Sequence, residues 1–223
     1  MKAIVVSHAG NSDVLEEREV PTPAVKPGWS LIQIKGFGIN RSEIFTRNGW
    51  SPSVQFPRIL GIEGVGVISE TTDPDRLPVG QKVVTLMGEM GRAFDGSYAE
   101  FALIPNRQIY PVTTELSWAE LAAIPETYAT AYGSLLTLQL QDHDHLLIRG
   151  ASSGVGVAAA KLAKALHPEI TITGATRKKA KRQALLDAGF DHVIFEQDGT
   201  LLTDATYDKL LELVGPATLL DSA

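Results

Sequence analysis

Seven residues, Gly150-Ala151-Ser152-Ser153-Gly154-Val155-Gly156, carry the strongest chemical signal in this chain. A short apolar run, His145–Arg149, precedes them, and an alanine-rich helical pattern follows at once. A strand, a tight turn and a helix in that order aim bare backbone N–H groups at a phosphate. Glycines let the backbone come close to the ligand, because no Cβ stands in the way. The spacing G-x-x-x-G-x-G differs from G-x-G-x-x-G, and by itself it also fits an ordinary strand-to-helix turn. The amphipathic helix behind it and a second strand at the expected distance favour a dinucleotide.

The end of that second strand sets the kind of dinucleotide. An NAD enzyme usually places Asp or Glu there for the ribose 2′-OH. Thr173–Arg182 has no acid, and five of its ten residues are cationic. A 2′-phosphate suits such a site, so the expected cofactor is NADPH. Thr176 and Arg177 are its expected direct contacts, with Lys181 next. Lys178, Lys179 and Arg182 fit a solvated helix face better.

Two rhythms position these residues. Residues 1–122 hold short apolar runs at 3–6, 29–35, 64–69, 81–86, 98–104 and 108–112, separated by Pro, Gly, Asn and Asp. Many short strands in a barrel-like or sandwich arrangement are expected there. From residue 123 to 223, helical patterns alternate with short strands, which suggests parallel βαβ units. Val155, Ala158, Ala159, Leu162, Ala163 and Leu166 form one stripe at helical period. A strand is predicted at 170–173. A helix is predicted from 178 to 188, with Thr176 as N-cap and Gly189 as its stop. Strands are predicted at 192–195 and 209–214, and residues 217–223 read as the start of another helix. Gly61–Gly66 has no helix pattern behind it and reads as a glycine-rich strand, with Glu63 a structural carboxylate.

Bulk properties remove several function classes. The chain has 223 residues, a net charge of −6 and no cysteine. A disulfide scaffold, a thiolate-bound zinc and a cysteine nucleophile are excluded. The acidic balance argues against a nucleic-acid or anionic-membrane partner. No apolar run approaches the roughly 20 residues of a membrane span, and the chain reads as cytoplasmic. A Tyr-x-x-x-Lys pair does not follow the turn, which argues against a short-chain dehydrogenase, and no Gly-Lys-Ser/Thr marks a Walker-type loop.

Several segments together resemble the zinc-free, quinone-oxidoreductase-like branch of the medium-chain dehydrogenase/reductase superfamily. They are Met1–Ile4 with Val14-Leu15 and Val20-Pro21, Gly36–Glu43, Pro57–Val67, Asp95–Phe101 and Ala123–Tyr132. The resemblance implies a mixed fold: a GroES-like β-rich domain at 1–122, then a partial Rossmann doubly wound parallel sheet at 123–223. It implies an active site in a cleft between the domains and a homodimer. It places Asn40 at the catalytic centre near nicotinamide and substrate, and Thr127 and Thr130 near the nicotinamide ribose. It turns Ser152, Ser153, Gly154, Val155 and Gly156 toward the pyrophosphate. Phe45 and Trp50 line either the substrate side of the cleft or the interior of the barrel.

Departures from the zinc-containing members bear on the chemistry. Asn40 and Ile62 stand where those enzymes hold zinc with Cys and His, and an isoleucine ligates no metal. A zinc-independent hydride transfer from NADPH to a quinone, enone or enal is therefore expected. The alternative is a member of the same fold that binds NADPH as a sensor or scaffold. Four parallel strands are expected by Val214, against six in a full doubly wound sheet, so the resemblance implies that family members extend further.

Overall fold

The structure, a computed structural model, describes residues 1–222. Its two compact units are Met1–Glu126 and Thr127–Ala223.

The first unit is built from antiparallel strands. β1 (Lys2–Val6) and β2 (Leu15–Glu19) precede β3 (Trp29–Gly36), α1 (Arg41–Arg47) and β4 (Arg58–Ile59). β5 (Glu63–Thr71), β6 (Lys82–Leu86), β7 (Phe101–Pro105), β8 (Ile109–Pro111) and α2 (Trp118–Ala122) complete it. The strand order is β2-β1-β4 in one sheet and β7-β3-β5-β6-β8 in a second, curled one. Ile32, Ile68, Leu77, Val83, Ile104 and Ile109 form the main core of the unit. All five strands of the second sheet supply it, and β6 and β7 alternate buried with less buried residues, as the period of two requires. Gly61–Gly66 does lead into a strand, and Glu63 is the first residue of β5. The run expected at 98–104 makes a single bridge at Ala99 with Ala3 and becomes a continuous strand at Phe101.

α3 (Pro125–Leu138) starts in the first unit and continues into the second. The second unit then follows the order β9 (His145–Arg149), α4 (Gly154–Leu166), β10 (Thr171–Thr176), α5 (Arg182–Asp187) and β11 (His192–Gln197). β12 (Thr200–Leu201), β13 (Lys209–Glu212) and α6 (Pro216–Ser222) end it. The sheet order is β12-β11-β10-β9-β13. β11, β10, β9 and β13 are mutually parallel, and the short β12 pairs antiparallel with β11. Counting the parallel strands alone, the order is 3-2-1-4, the first part of a Rossmann sheet.

Two expectations about helices need correction. Thr176 is not an N-cap. It is the buried last residue of β10, paired with Phe195, and α5 begins only at Arg182 after a short 3-10 turn, Lys179–Lys181. Gly189, at φ +104°, does stop the helix. The buried face of α4 also differs from the predicted stripe. Gly156, Ala158, Ala159, Ala160 and Ala163 are buried, whereas Leu166 is exposed. Small residues bring the helix close to the sheet, which leaves the last leucine beyond the sheet's cover.

Candidate active site

The turn after β9 lies where the strand order reverses, because β9 has β10 on one side and β13 on the other. Open parallel sheets bind ligands at the carboxyl ends of strands at such a switch point. Gly150 takes φ +79°, and a Cβ on Gly156 would lie 2.7 Å from the Ala151 carbonyl oxygen. Only glycine fits that close approach of helix to strand.

Ser153 is the N-cap of α4, and its Oγ accepts the Gly156 N–H at 3.1 Å. Its hydroxyl is therefore engaged by its own helix. The N–H groups of Gly154 and Val155 have no acceptor among the described residues. Such orphan donors at the positive end of a 13-residue helix fit a phosphate. Ser153→Ala should cost about 1 kcal/mol and Ser153→Gly a few tenths, read from urea unfolding midpoints.

Two of the other predicted contacts, Lys181 and Thr127, meet this turn. Lys181 Nζ donates to Ser152 Oγ at 2.9 Å, so a cation from beyond β10 is tethered to the turn. Thr127, in α3, lies beside Gly154: a Cβ there would sit 3.6 Å from Thr127 Cγ2. Thr130 is one turn further along α3 and exposed. Thr176 is buried, and its Oγ1 accepts the Lys178 N–H at 3.3 Å. Arg177 projects into solvent, its side chain 80% exposed, with Nε 3.8 Å from Glu196 Oε1.

One residue of this region carried no functional reading in the sequence. Arg149, the last residue of β9, is fully buried. Its Nε donates to Glu196 at 2.9 Å, and one terminal nitrogen donates to Asp221 at 2.8 Å, to Ser222 Oγ at 2.6 Å and to the Thr218 carbonyl at 3.1 Å. The other terminal nitrogen donates to the Gly199 carbonyl at 2.6 Å, and Glu212 lies 3.8 Å from Nε. A cation at the end of an otherwise apolar strand was the available signal. Its partners come from β11, β13, α6 and the β11–β12 turn.

In the first unit, Asn40 is the N-cap residue of α1. Its N–H donates to Glu43 Oε2 at 2.6 Å, and its Nδ2 donates to Glu63 Oε1 at 2.7 Å. Glu43 also accepts the Ile62 N–H at 2.9 Å and the Tyr98 hydroxyl at 2.7 Å. Burial pushes the Glu43 carboxyl above the usual carboxylate range, against the opposing pull of those hydrogen bonds. Burial does the same to Glu63, opposed by Asn40 and by the Glu126 N–H. Burial and the bond to Glu43 also push the Tyr98 hydroxyl upward. Ile62 is buried, and only its backbone N–H faces this cluster.

Phe45 and Trp50 pack on each other, with ring centroids 5.5 Å apart, and both remain exposed. The Arg41 guanidinium lies 5.8 Å from the Phe45 ring. The pair forms a surface aromatic platform rather than part of the barrel core.

A GroES-like domain followed by a Rossmann-type sheet defines the medium-chain dehydrogenase/reductase class. Residues 26–114 match the family model described as alcohol dehydrogenase GroES-like domain. The chain is 29% identical over 219 residues to a quinone oxidoreductase of Lama guanicoe, covering 96% of this chain and 63% of that protein. It is 31% identical over 185 residues to a quinone oxidoreductase of Homo sapiens, covering 81% of this chain and 55% of that protein. The solved structure of the quinone oxidoreductase from Coxiella burnetii superposes with a TM-score of 0.90 at 26% identity, covering 100% of this chain and 71% of that one. These similarities support the medium-chain dehydrogenase/reductase superfamily, in its quinone-oxidoreductase-like branch. It spans 55–63% of the length of these two curated relatives.

Proposed function

We propose that this chain acts as an NADPH-dependent, zinc-independent oxidoreductase that passes hydride to a quinone, enone or enal. The observation that carries this reading is the turn at the switch point of a 3-2-1-4 sheet, flanked by Arg177 and Lys181 with no acid at the end of β10. The relatives named quinone oxidoreductase support the reaction class.

Each residue has a defined task in this reading. The free N–H groups of Gly154 and Val155 take the pyrophosphate, and Gly156 keeps the helix close enough to present them. Arg177 takes the 2′-phosphate, with Thr176 at the strand end beside it, and Lys181 adds charge while steadying Ser152. Thr127 and Thr130 take the nicotinamide ribose. The bound nicotinamide supplies the hydride, and the protein supplies orientation. Asn40 offers its amide to the substrate, and Phe45 and Trp50 offer a flat apolar surface to a planar acceptor. Asn40 and Ile62 leave no metal to polarise a carbonyl, so the acceptor must already be electrophilic.

Steady-state oxidation of NADPH with a small panel of quinones, enones and enals tests this. Turnover of at least one acceptor is expected. Saturable NADPH binding without turnover of any acceptor would replace catalysis by a sensing or scaffolding role.

A further inference from the structure

Asn40, Glu63 and Gly38 form an arrangement that their separate roles do not explain. The Glu63 side chain is buried. Its Oε1 accepts Asn40 Nδ2 at 2.7 Å, and its Oε2 accepts the Glu126 N–H at 2.9 Å, in the first turn of α3. Both oxygens therefore face donors, and an ionised carboxylate only accepts. The amide of Asn40 must turn its nitrogen to Glu63 and its oxygen toward the first turn of α1, where the capping box faces it to the Glu43 N–H and leaves a second lone pair. Gly38 makes this possible: a Cβ there would lie 2.2 Å from Glu63 Oε1 and 2.9 Å from its Cδ. The contacts of Gly38, Asn40 and Glu63 thus amount to a holder for one amide group.

We propose that Glu63 is a positioning residue, fixing the amide of Asn40 so that Oδ1 is presented as an acceptor to a hydroxyl or amide N–H of the bound cofactor's nicotinamide half. This rests on the reading of Asn40 as a ligand contact. An unheld asparagine samples both amide orientations. A hydrogen bond to a buried carboxylate favours one of them by about ten- to a hundredfold. The electron density drawn onto Oδ1 also makes it a better acceptor.

Glu63→Gln keeps the shape but supplies one acceptor and one donor against two N–H groups. Where its nitrogen meets Asn40, the asparagine amide must flip and expose its NH2. The direct test is the pair of Asn40 side-chain amide protons in ¹⁵N-labelled full chain, assigned by their loss in Asn40→Ala. One strongly downfield, slowly exchanging proton is expected in the wild type. It should be lost in Glu63→Gln and in Gly38→Ala, which displaces the carboxylate without removing it and serves alone should Glu63→Gln not fold. An unchanged Asn40 signal in the folded variants would overturn the proposal.

The second measurement is kinetic. Glu63→Gln should lower kcat about tenfold or more with any acceptor, by misplacing the nicotinamide, while the Kd read by fluorescence for NADPH, which is held mainly at its phosphates, rises by clearly less. Adding Asn40→Ala to it should lose little further, because both act through one amide. Additive losses, or equal losses in NADPH binding, would make Glu63 merely structural. If the wild type turns over no acceptor, the oxidoreductase reading fails, and the amide signal still decides the positioning role.

Discussion

Replacing Arg149 with methionine should destabilise the second unit by about 3–5 kcal/mol. That is a large part of the roughly 5–15 kcal/mol that holds a domain folded. Methionine fills much of the volume, so the loss reads the charge network and not a cavity. Arg149 is fully buried, and its guanidinium meets Glu196, Asp221, Ser222 and two backbone carbonyls, with Glu212 close by. Taking away the cation leaves the buried Glu196, with Glu212 and Asp221 nearby and less buried, without the charge that offsets its desolvation. Arg149→Lys should recover only part, since a point charge cannot reach five acceptors in a planar fork. Urea unfolding of the variants measures this, and a loss below about 1 kcal/mol would mean that water replaces the guanidinium freely.

Acid adds a second signature. Burial alone would raise the Glu212 carboxyl, but hydrogen bonds from Ser222 Oγ and from the Val214 and Gly215 N–H groups outweigh it and hold it below the ordinary range. A carboxylate depressed in the folded state stabilises above its unfolded value and loses that contribution as pH falls through its folded value. The wild type should therefore weaken as pH drops below the ordinary glutamate value of 4.5. Arg149→Met should weaken less over the same window, because protonation there relieves repulsion.

The contrast between Arg149 and the neighbouring turn shows what a sequence discloses. The turn was legible because its signals are local: glycines, serines and an alanine stripe within a few residues. β13 was legible for the same reason, as a short apolar run closed by Gly-Pro. Arg149 has partners 47, 72 and 73 residues away, and no periodicity announces them. Asn40 and Glu63 were both visible as residue types, but their bond spans 23 positions. Thr176 misled for a different reason. Thr-Arg-Lys-Lys is a good helix opening by local preference, yet pairing of Thr176 with Phe195 carries the strand through Thr176. Tertiary hydrogen bonding overrode the cap, and the displaced helix start leaves the cations on a short turn instead.

That displacement decides how Arg177 should behave. It follows the strand end directly, its side chain is 80% exposed, and its nearest acid, Glu196, already bonds Arg149. Nothing in the fold depends on it, so Arg177→Ala should leave the unfolding midpoint unchanged. A charge-assisted hydrogen bond is worth about 1.5–3 kcal/mol, and about 1.4 kcal/mol is a tenfold change in affinity. NADPH binding should therefore weaken roughly ten- to a hundredfold, and NADH, which lacks the phosphate, should bind nearly as before. The NADPH preference should also shrink as salt is raised, because exposed charges are screened over about 8–10 Å at moderate ionic strength. Lys181→Ala should behave differently. It frees Ser152 from its tether at 2.9 Å, so both cofactors should lose affinity, NADPH more. Titrating each variant with both nucleotides separates the two roles. Equal losses of NADPH and NADH in Arg177→Ala would remove the 2′-phosphate from this site and with it the assignment of NADPH.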